Sequence, residues 1–388
     1  MPVNNLECLT RTLSHQSVDR LLTWDYLDNE AILARYGGYD RGKQYTFEEL
    51  AEVNVRAFRG IGLDMTRGLY DPVNHWMGAK IKNWIRFFGV DPVDWGVSQQ
   101  GGTAWISQRP FHDLAGLERH LPQLPVFEAV RAWFEPLILF MKDLCDRHDL
   151  VWVGGVEGPI CDAYTYTDME LFMRAVYDAP ELIAHIMDCT GKFSAYIAQI
   201  YAEHATSPLM FMGEDICGRS GPILSPAFLR AQGIPRWRWI QEPIRAKGYE
   251  FLFHTDGRYG PALPLILEEF DADGLHPIER NGCNNIFEIQ EQYPEKFLFG
   301  NVCCAETLPQ GNAEDVEDET LELIERLGGT RRVFLGSSSE VHDLVPPEHA
   351  ETMYRTVHEY GIFPIDVERI RRRRRAIADK LHTRSARR

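Results

Sequence analysis

The feature that most constrains this chain is an alternation that sets in near residue 150, where short apolar runs, each closed by polar or ionisable residues, are separated by segments long enough to be helices. Strands are expected at residues 150–154, 208–213, 249–254, 274–278, 296–302 and 332–336, and long helices at 126–148 and 169–204, where apolar residues recur at helical spacing. Strands joined by helix-sized connections pair in parallel. Both a barrel and an open doubly wound sheet meet that condition. No GxGxxG or GxxxxGK[ST] follows any of the runs, so the phosphate cradle of a nucleotide-binding open sheet is missing. That absence favours the barrel, an α/β (β/α)8 TIM barrel formed as one domain over residues 1–388. Residues 1–100, with Trp24, Trp76, Trp84 and Trp95, read as a mainly helical, irregular extension covering it, and residues 366–388 as a basic tail.

Composition removes several classes of function. With 41 Lys and Arg against 57 Asp and Glu, the formal charge is −16, and a nucleic-acid surface needs the opposite balance. The run Arg371 to Arg375, followed by Lys380, Arg384, Arg387 and Arg388, is the local exception and reads as a solvated helix end. No apolar run reaches the roughly 18 residues of a membrane span, and the first residues lack the pattern of a secretion signal. A cytoplasmic protein is expected. The eight cysteines form no CxxC pair and are expected to be reduced thiols.

In a parallel barrel all C-terminal strand ends open onto one face, which is where such barrels place their chemistry. The residues closing the runs are Glu214 and Asp215, His254 and Asp256, His276 and Glu279, Asn301, Cys303 and Cys304, and Ser337 to His342. In the stretch Phe251 to Gly257 the imidazole of His254 and the carboxylate of Asp256 are two residues apart, so both face the same way in extended chain. That pair suits a metal ion or a general base with its orienting group, and equally a histidine that caps the turn. Adjacent Glu214 and Asp215 point in opposite directions, so one of them enters the cavity, and Arg219 can neutralise the other or grip a substrate carboxylate. Ser225 and Pro226 read as the N-cap and first residue of the helix that follows.

Taken in order, several stretches resemble the uroporphyrinogen decarboxylase superfamily, which includes corrinoid-dependent methyltransferases. They are Gly102-Thr-Ala-Trp105 with Arg109-Pro-Phe111, Gly155-Val-Glu-Gly-Pro159, Gly213-Glu-Asp215, His254-Thr-Asp-Gly257, His276-Pro-Ile-Glu279, Gly300-Asn-Val302 and residues 336–347. The arginine-rich N-terminal motif of true uroporphyrinogen decarboxylases has no counterpart here, since only Arg11 and Arg20 occur in that region. The methyltransferase branch is closer.

That branch holds a zinc ion with a His-x-Cys-Gly and a later cysteine. This sequence has Asp256 at the first cysteine position and Ser337 to Ser339 at the second. The resemblance therefore implies a divergent site for zinc or another divalent metal, with His254, Asp256 and Glu214 as ligands and catalytic residues and Cys303 as a further thiolate. It also implies a substrate pocket involving Trp105, Arg109, Tyr164, Tyr166, Asp215, Arg219, His276, Cys303 and His342. The implied reaction is demethylation of a small methylated or methoxylated compound, with the methyl passed to a corrinoid (cobalamin), carried on a partner protein, or to a pterin. Two other readings stay open. One is a porphyrin decarboxylase, in which Asp256 or Glu214 stabilises a protonated pyrrole and Arg109 and Arg219 hold carboxylates. The other is a barrel that binds a small molecule without turnover.

Overall fold

In a computed structural model describing residues 3–72, 77–100, 103–204 and 206–385, parallel strands close into an eight-membered ring. They are β1 (Trp24–Asp25), β2 (Met65–Thr66), β3 (Val151–Trp152, resuming at Gly155–Glu157), β4 (Leu209–Gly213), β5 (Glu250–His254), β6 (Gly274–His276), β7 (Phe297–Phe299) and β8 (Val333–Phe334). Each pairs with the next in order. The bridge between Thr23 and Leu335 closes the ring, with the Trp24 N–H donating to the Leu335 carbonyl at 3.0 Å. The fold is the expected TIM barrel. Trp76 and Gly102 of the motifs above, and Arg387 and Arg388 of the basic tail, lie outside the described residues.

Side chains alternate across the wall as strand geometry requires. Trp24, Met65, Val151, Leu209, Phe211, Leu252, Phe297, Phe299 and Phe334 fill the inside of the barrel as one cluster. Their neighbours Met210, Met212, Phe251, Phe253, Leu275, Leu298 and Val333 face outward and pack beneath the surrounding helices. Strands β4 to β8 are apolar on both faces because both faces are covered.

Two expectations change. Residues 1–100 do not merely cover the barrel, because they supply β1 and β2; each strand is two residues long, too short to leave a periodic signal. The helix expected over 169–204 is two helices, Met169–Asp178 and Pro180–His204. Proline has no N–H to donate and its fixed φ suits a first turn, so Pro180 starts the second helix. The basic tail is an exposed helix end, as expected, and is ion-paired as well. It continues as the helix Val367–Ser385, which lies along the acidic helix Ala313–Leu327. Arg371 pairs with Glu325, Arg373 with Glu317, Arg374 with Asp318 and Glu325, and Lys380 with Glu314. Ile370 and Ile377 are buried under the same contact. No described helix is long and apolar enough to cross a membrane.

Candidate metal centre

The strand register decides which rim residues meet. On β4, Leu209 and Phe211 point into the barrel, so Gly213 and then Asp215 follow on the inner side and Glu214 turns outward. On β5, Leu252 points in, as do His254 and then Asp256. β4 and β5 are neighbours with Gly213 opposite His254, so Asp215 and Asp256 leave the barrel side by side. The His254 Nε2 lies 3.7 Å from Asp215 Oδ1 and 3.9 Å from Asp256 Oδ1. Among the described residues, Asp215, His254 and Asp256 form the one group of three whose ligand atoms all lie within 4.8 Å of one another.

Each member is held. The Asp256 N–H donates to Asp215 Oδ1 at 3.1 Å, fixing one carboxylate by the backbone of the other. Asp256 Oδ1 is buried and has no hydrogen-bond partner. Burial, and then the Asp215 and Glu279 charges, push the Asp256 carboxyl up to about 7, and burial also raises that of Asp215. His254 and His276 share a hydrogen bond of 2.8 Å between their Nδ1 atoms, which requires one ring to donate and the other to accept. Burial pushes both imidazoles well below the ordinary histidine range, so they sit as a neutral pair, with Phe211 packed against His254 at 4.9 Å between centroids.

The nomination of Glu214 as a ligand is corrected. Its carboxylate is fully buried outside the barrel at the start of the helix Pro159–Thr167, accepting from the Ile160 and Cys161 N–H groups at 3.1 and 2.8 Å and from Trp237 Nε1 at 2.6 Å. The two backbone donors belong to a helix N-terminus, and Asp215 stands in the cluster where Glu214 was expected. The continuous apolar run Leu209–Gly213 offers no alternation from which to read this parity.

Other candidates are also displaced. Arg109 spends its guanidinium on the carbonyls of Tyr166, Ile106 and Thr165, closing the C-terminal turn of Pro159–Thr167 rather than meeting a substrate. Arg219 is exposed in the turn between the paired segments Cys217–Gly218 and Gly221–Pro222. Trp105 is 42% exposed on the antiparallel pair Gly96–Gln100 and Thr103–Gln108, and Tyr166 is buried among Trp84, Phe88, Trp95 and Phe111. His342 is engaged at both ring nitrogens, with the Cys304 carbonyl and the Leu344 N–H. Cys303 is buried with its N–H on Glu319 and is outside the cluster, and burial pushes the Cys304 thiol up to about 11. His276 acts on His254 rather than facing the cavity. Tyr164 remains close, its hydroxyl donating to Cys161 Sγ at 3.0 Å and lying 3.4 Å from the Asp215 carbonyl.

Two groups that sequence reasoning missed face the same rim. Arg67, two residues beyond the inward Met65, lies over the rings of Tyr26 and Phe211 at 4.6 and 5.2 Å, and its charge favours the ionised forms of Glu157, Asp215 and Asp256. Glu157 ends β3 on the inner side, its carboxylate over Gly213. Both border a cavity of about 690 Å³ together with Tyr26, Lys80, Phe211 and Glu340. Recognition of β2 would have found Arg67, but two residues carry too little pattern.

By structure the chain is similar to a methyltransferase from Methanosarcina mazei, with a TM-score of 0.71 and 17% identity, covering 92% of this chain and 99% of that one. A β-L-arabinopyranosidase from Geobacillus stearothermophilus is far more distant, with a TM-score of 0.36 and 9% identity over 88% of this chain and 76% of that one. No curated protein matches the chain by sequence. Residues 98–360 match the uroporphyrinogen decarboxylase (URO-D) family, which spans the greater part of this barrel and its rim, and the chain belongs to that family.

Proposed function

We propose that the chain is a metal-assisted methyltransferase in which Asp215, His254 and Asp256 hold a divalent ion such as zinc, and methyl passes from a small methylated or methoxylated compound to a corrinoid on a partner protein or to a pterin. The observation that carries this reading is the convergence of two carboxylates on His254 Nε2, with Asp256 Oδ1 left buried and unpartnered. Two carboxylates crowded against one imidazole nitrogen repel one another when ionised, and a divalent cation between them relieves that repulsion. The donor set fits a borderline or hard divalent ion, being one imidazole and two carboxylates with no thiolate. Such an ion, when bound, would supply Lewis acidity that lowers the pKa of a coordinated thiol or hydroxyl.

The protein's own groups do the positioning. His276 fixes the ring of His254 through the Nδ1 pair, the usual task of a second partner behind a ligating histidine. The Asp256 N–H orients Asp215, and Arg67 offsets the acidic charge of the rim. The decarboxylase reading loses support, since Arg109 is consumed by backbone carbonyls and Arg219 lies exposed in a turn.

The test is metal analysis of protein purified without chelator, for wild type, His254→Ala and Asp215→Asn. Near-stoichiometric divalent metal is expected in wild type, with a loss of at least tenfold in affinity in each variant. A metal-free wild type that still transfers methyl groups to cob(I)alamin would overturn the assignment.

A further inference from the structure

The cavity beside the metal centre has a property that a barrel mouth alone does not give. Its lining includes Phe211 and Glu157, which face the inside of the barrel, and also Met210 and Val156, their immediate neighbours on the same strands, which face out. A cavity can touch both faces of a strand pair only where the wall is interrupted. The interruption is visible in the pairing. β2 pairs with β3 at Val151 and Trp152, and the Val153 N–H reaches Thr66, whereas Gly155–Glu157 pair only with β4. Above Val153 the chain after β2 turns away through Arg67, Gly68 and Leu69, all of which line the cavity. Gly155 and Glu157 are exposed although they belong to a central strand, because what they reach is the cavity.

Glycine lets the rings beside the break pack directly against its backbone. A Cβ on Gly155 would come within 2.8 Å of Phe211 Cδ1, and one on Gly154 within 2.2 Å of the Tyr201 ring. Backbone groups freed by the break are not left bare, since the Gly154 N–H donates to the Tyr201 hydroxyl, which donates on to the Leu209 carbonyl. Outside the wall the space becomes apolar and aromatic. The helix Phe127–Arg147 presents Trp133, Phe134, Leu137, Ile138 and Met141 along one face, opposite Trp152 and Tyr201. Inside the wall it is polar, with Arg67, Lys80, Glu157 and Glu340.

We infer that this passage is the substrate site: a flat aromatic compound lies with its ring in the lobe between β3 and the helix Phe127–Arg147, and its methylated polar end passes through the gap at Gly154 and Gly155 toward Glu157 and the metal centre. The inference rests on the methyltransferase reading for the direction of the polar end, but the lobe is argued from the wall alone. A volume of about 690 Å³ is within the range of small-ligand pockets, roughly 300–1,000 Å³. Aromatic walls favour a planar ring over an aliphatic chain of equal size, by stacking and edge contacts. An entrance through the wall also leaves the axial mouth free for a large methyl acceptor.

The experiment is a titration of tryptophan fluorescence with 2-methoxyphenol and, in parallel, with 2-methoxyethanol, on metal-loaded and metal-free protein. Saturable binding of the aromatic ether, at least tenfold tighter than the aliphatic one, is expected. Leu137→Trp, which fills the outer lobe from a helix remote from the cluster, should weaken it tenfold or more with metal content unchanged. Gly155→Val should do the same by closing the gap, and Leu137→Trp decides if Gly155→Val does not fold. Absence of saturable binding, equal affinity for the two ethers, or indifference to Leu137→Trp overturns the inference. Intact aromatic binding in a protein that holds no metal would instead sink the methyltransferase reading and leave the lobe standing.

Discussion

Two arcs of the barrel rim treat their polar groups in opposite ways. From β4 to β6 the wall is sealed, and its polar groups either have protein partners, as buried Glu214 has at the start of Pro159–Thr167, or are crowded together at the rim, as Asp215, His254 and Asp256 are. From β2 to β3 the wall is open, and Arg67 and Glu157 border the cavity instead. A closed arc can hold a reactive cluster at fixed geometry, while an open arc can admit a molecule. Glu214 and Asp215 condense the difference into two adjacent residues, one serving the scaffold and the other the site.

The largest effect on stability should separate that pair. Replacing Glu214 with alanine strands three buried donors, the N–H groups of Ile160 and Cys161 and the indole of Trp237, at about 1–3 kcal/mol for each orphaned group. Some of that is recovered by water, so a net cost of about 3–5 kcal/mol is expected in urea unfolding of the metal-free protein. Asp215→Ala removes one member of a like-charged cluster and should cost less than about 1 kcal/mol under the same conditions, or stabilise. Equal costs for the two variants would erase the distinction between scaffold and site.

A smaller effect should mark the seam where the ring closes. Asp25, fully buried beside β8, accepts from the Ser337 N–H and hydroxyl and from the Tyr354 hydroxyl, and burial pushes its carboxyl up to about 7. Because this value is above the unfolded one, near 3.8, the folded chain keeps a proton that the unfolded chain releases. The contribution is therefore complete below pH 4 and is lost as pH rises toward and through 7. Stability of wild type relative to Asp25→Asn should fall by about 3–4 kcal/mol between pH 4 and pH 8. A flat or rising difference would show that the carboxylate is ionised throughout and that its hydrogen bonds outweigh its burial.

The sequence revealed the sealed arc far better than the open one, for physical reasons. Strands β4 to β8 are apolar runs with polar ends, and the two-residue spacing of His254 and Asp256 fixed their common direction without any structure. β4 itself, apolar on both faces, carried no clue to which of Glu214 and Asp215 turns inward. β1 and β2 are too short for any period, so Arg67 had no strand to be placed on, and a break in pairing above Val153 is a relation between distant segments that no local pattern contains. Arg109 reads as a substrate contact because an arginine that caps a helix and one that grips a carboxylate look alike in sequence. The basic tail was different. Its partner was in view, since Glu314, Glu317, Asp318, Glu322 and Glu325 recur at helical spacing and offer a complementary stripe.

The smallest effect belongs to that outer contact, and it tests whether burial is what separates the sealed wall from the surface. Arg373 meets Glu317 through two bonds, Nε to Oε1 at 2.6 Å and Nη2 to Oε2 at 2.7 Å, but its side chain is 44% exposed. Solvent screening and the loss of side-chain freedom hold such a pair to about 1 kcal/mol or less even with good geometry. A double-mutant cycle of Arg373→Ala and Glu317→Ala should give a coupling below about 1 kcal/mol at low salt, declining further at 0.5 M sodium chloride. A coupling above about 2 kcal/mol that persists in salt would mean the five pairs along Val367–Ser385 act as a network. The terminal helix would then be a structural clamp of the same order as the Glu214 anchor, and burial would no longer distinguish the two.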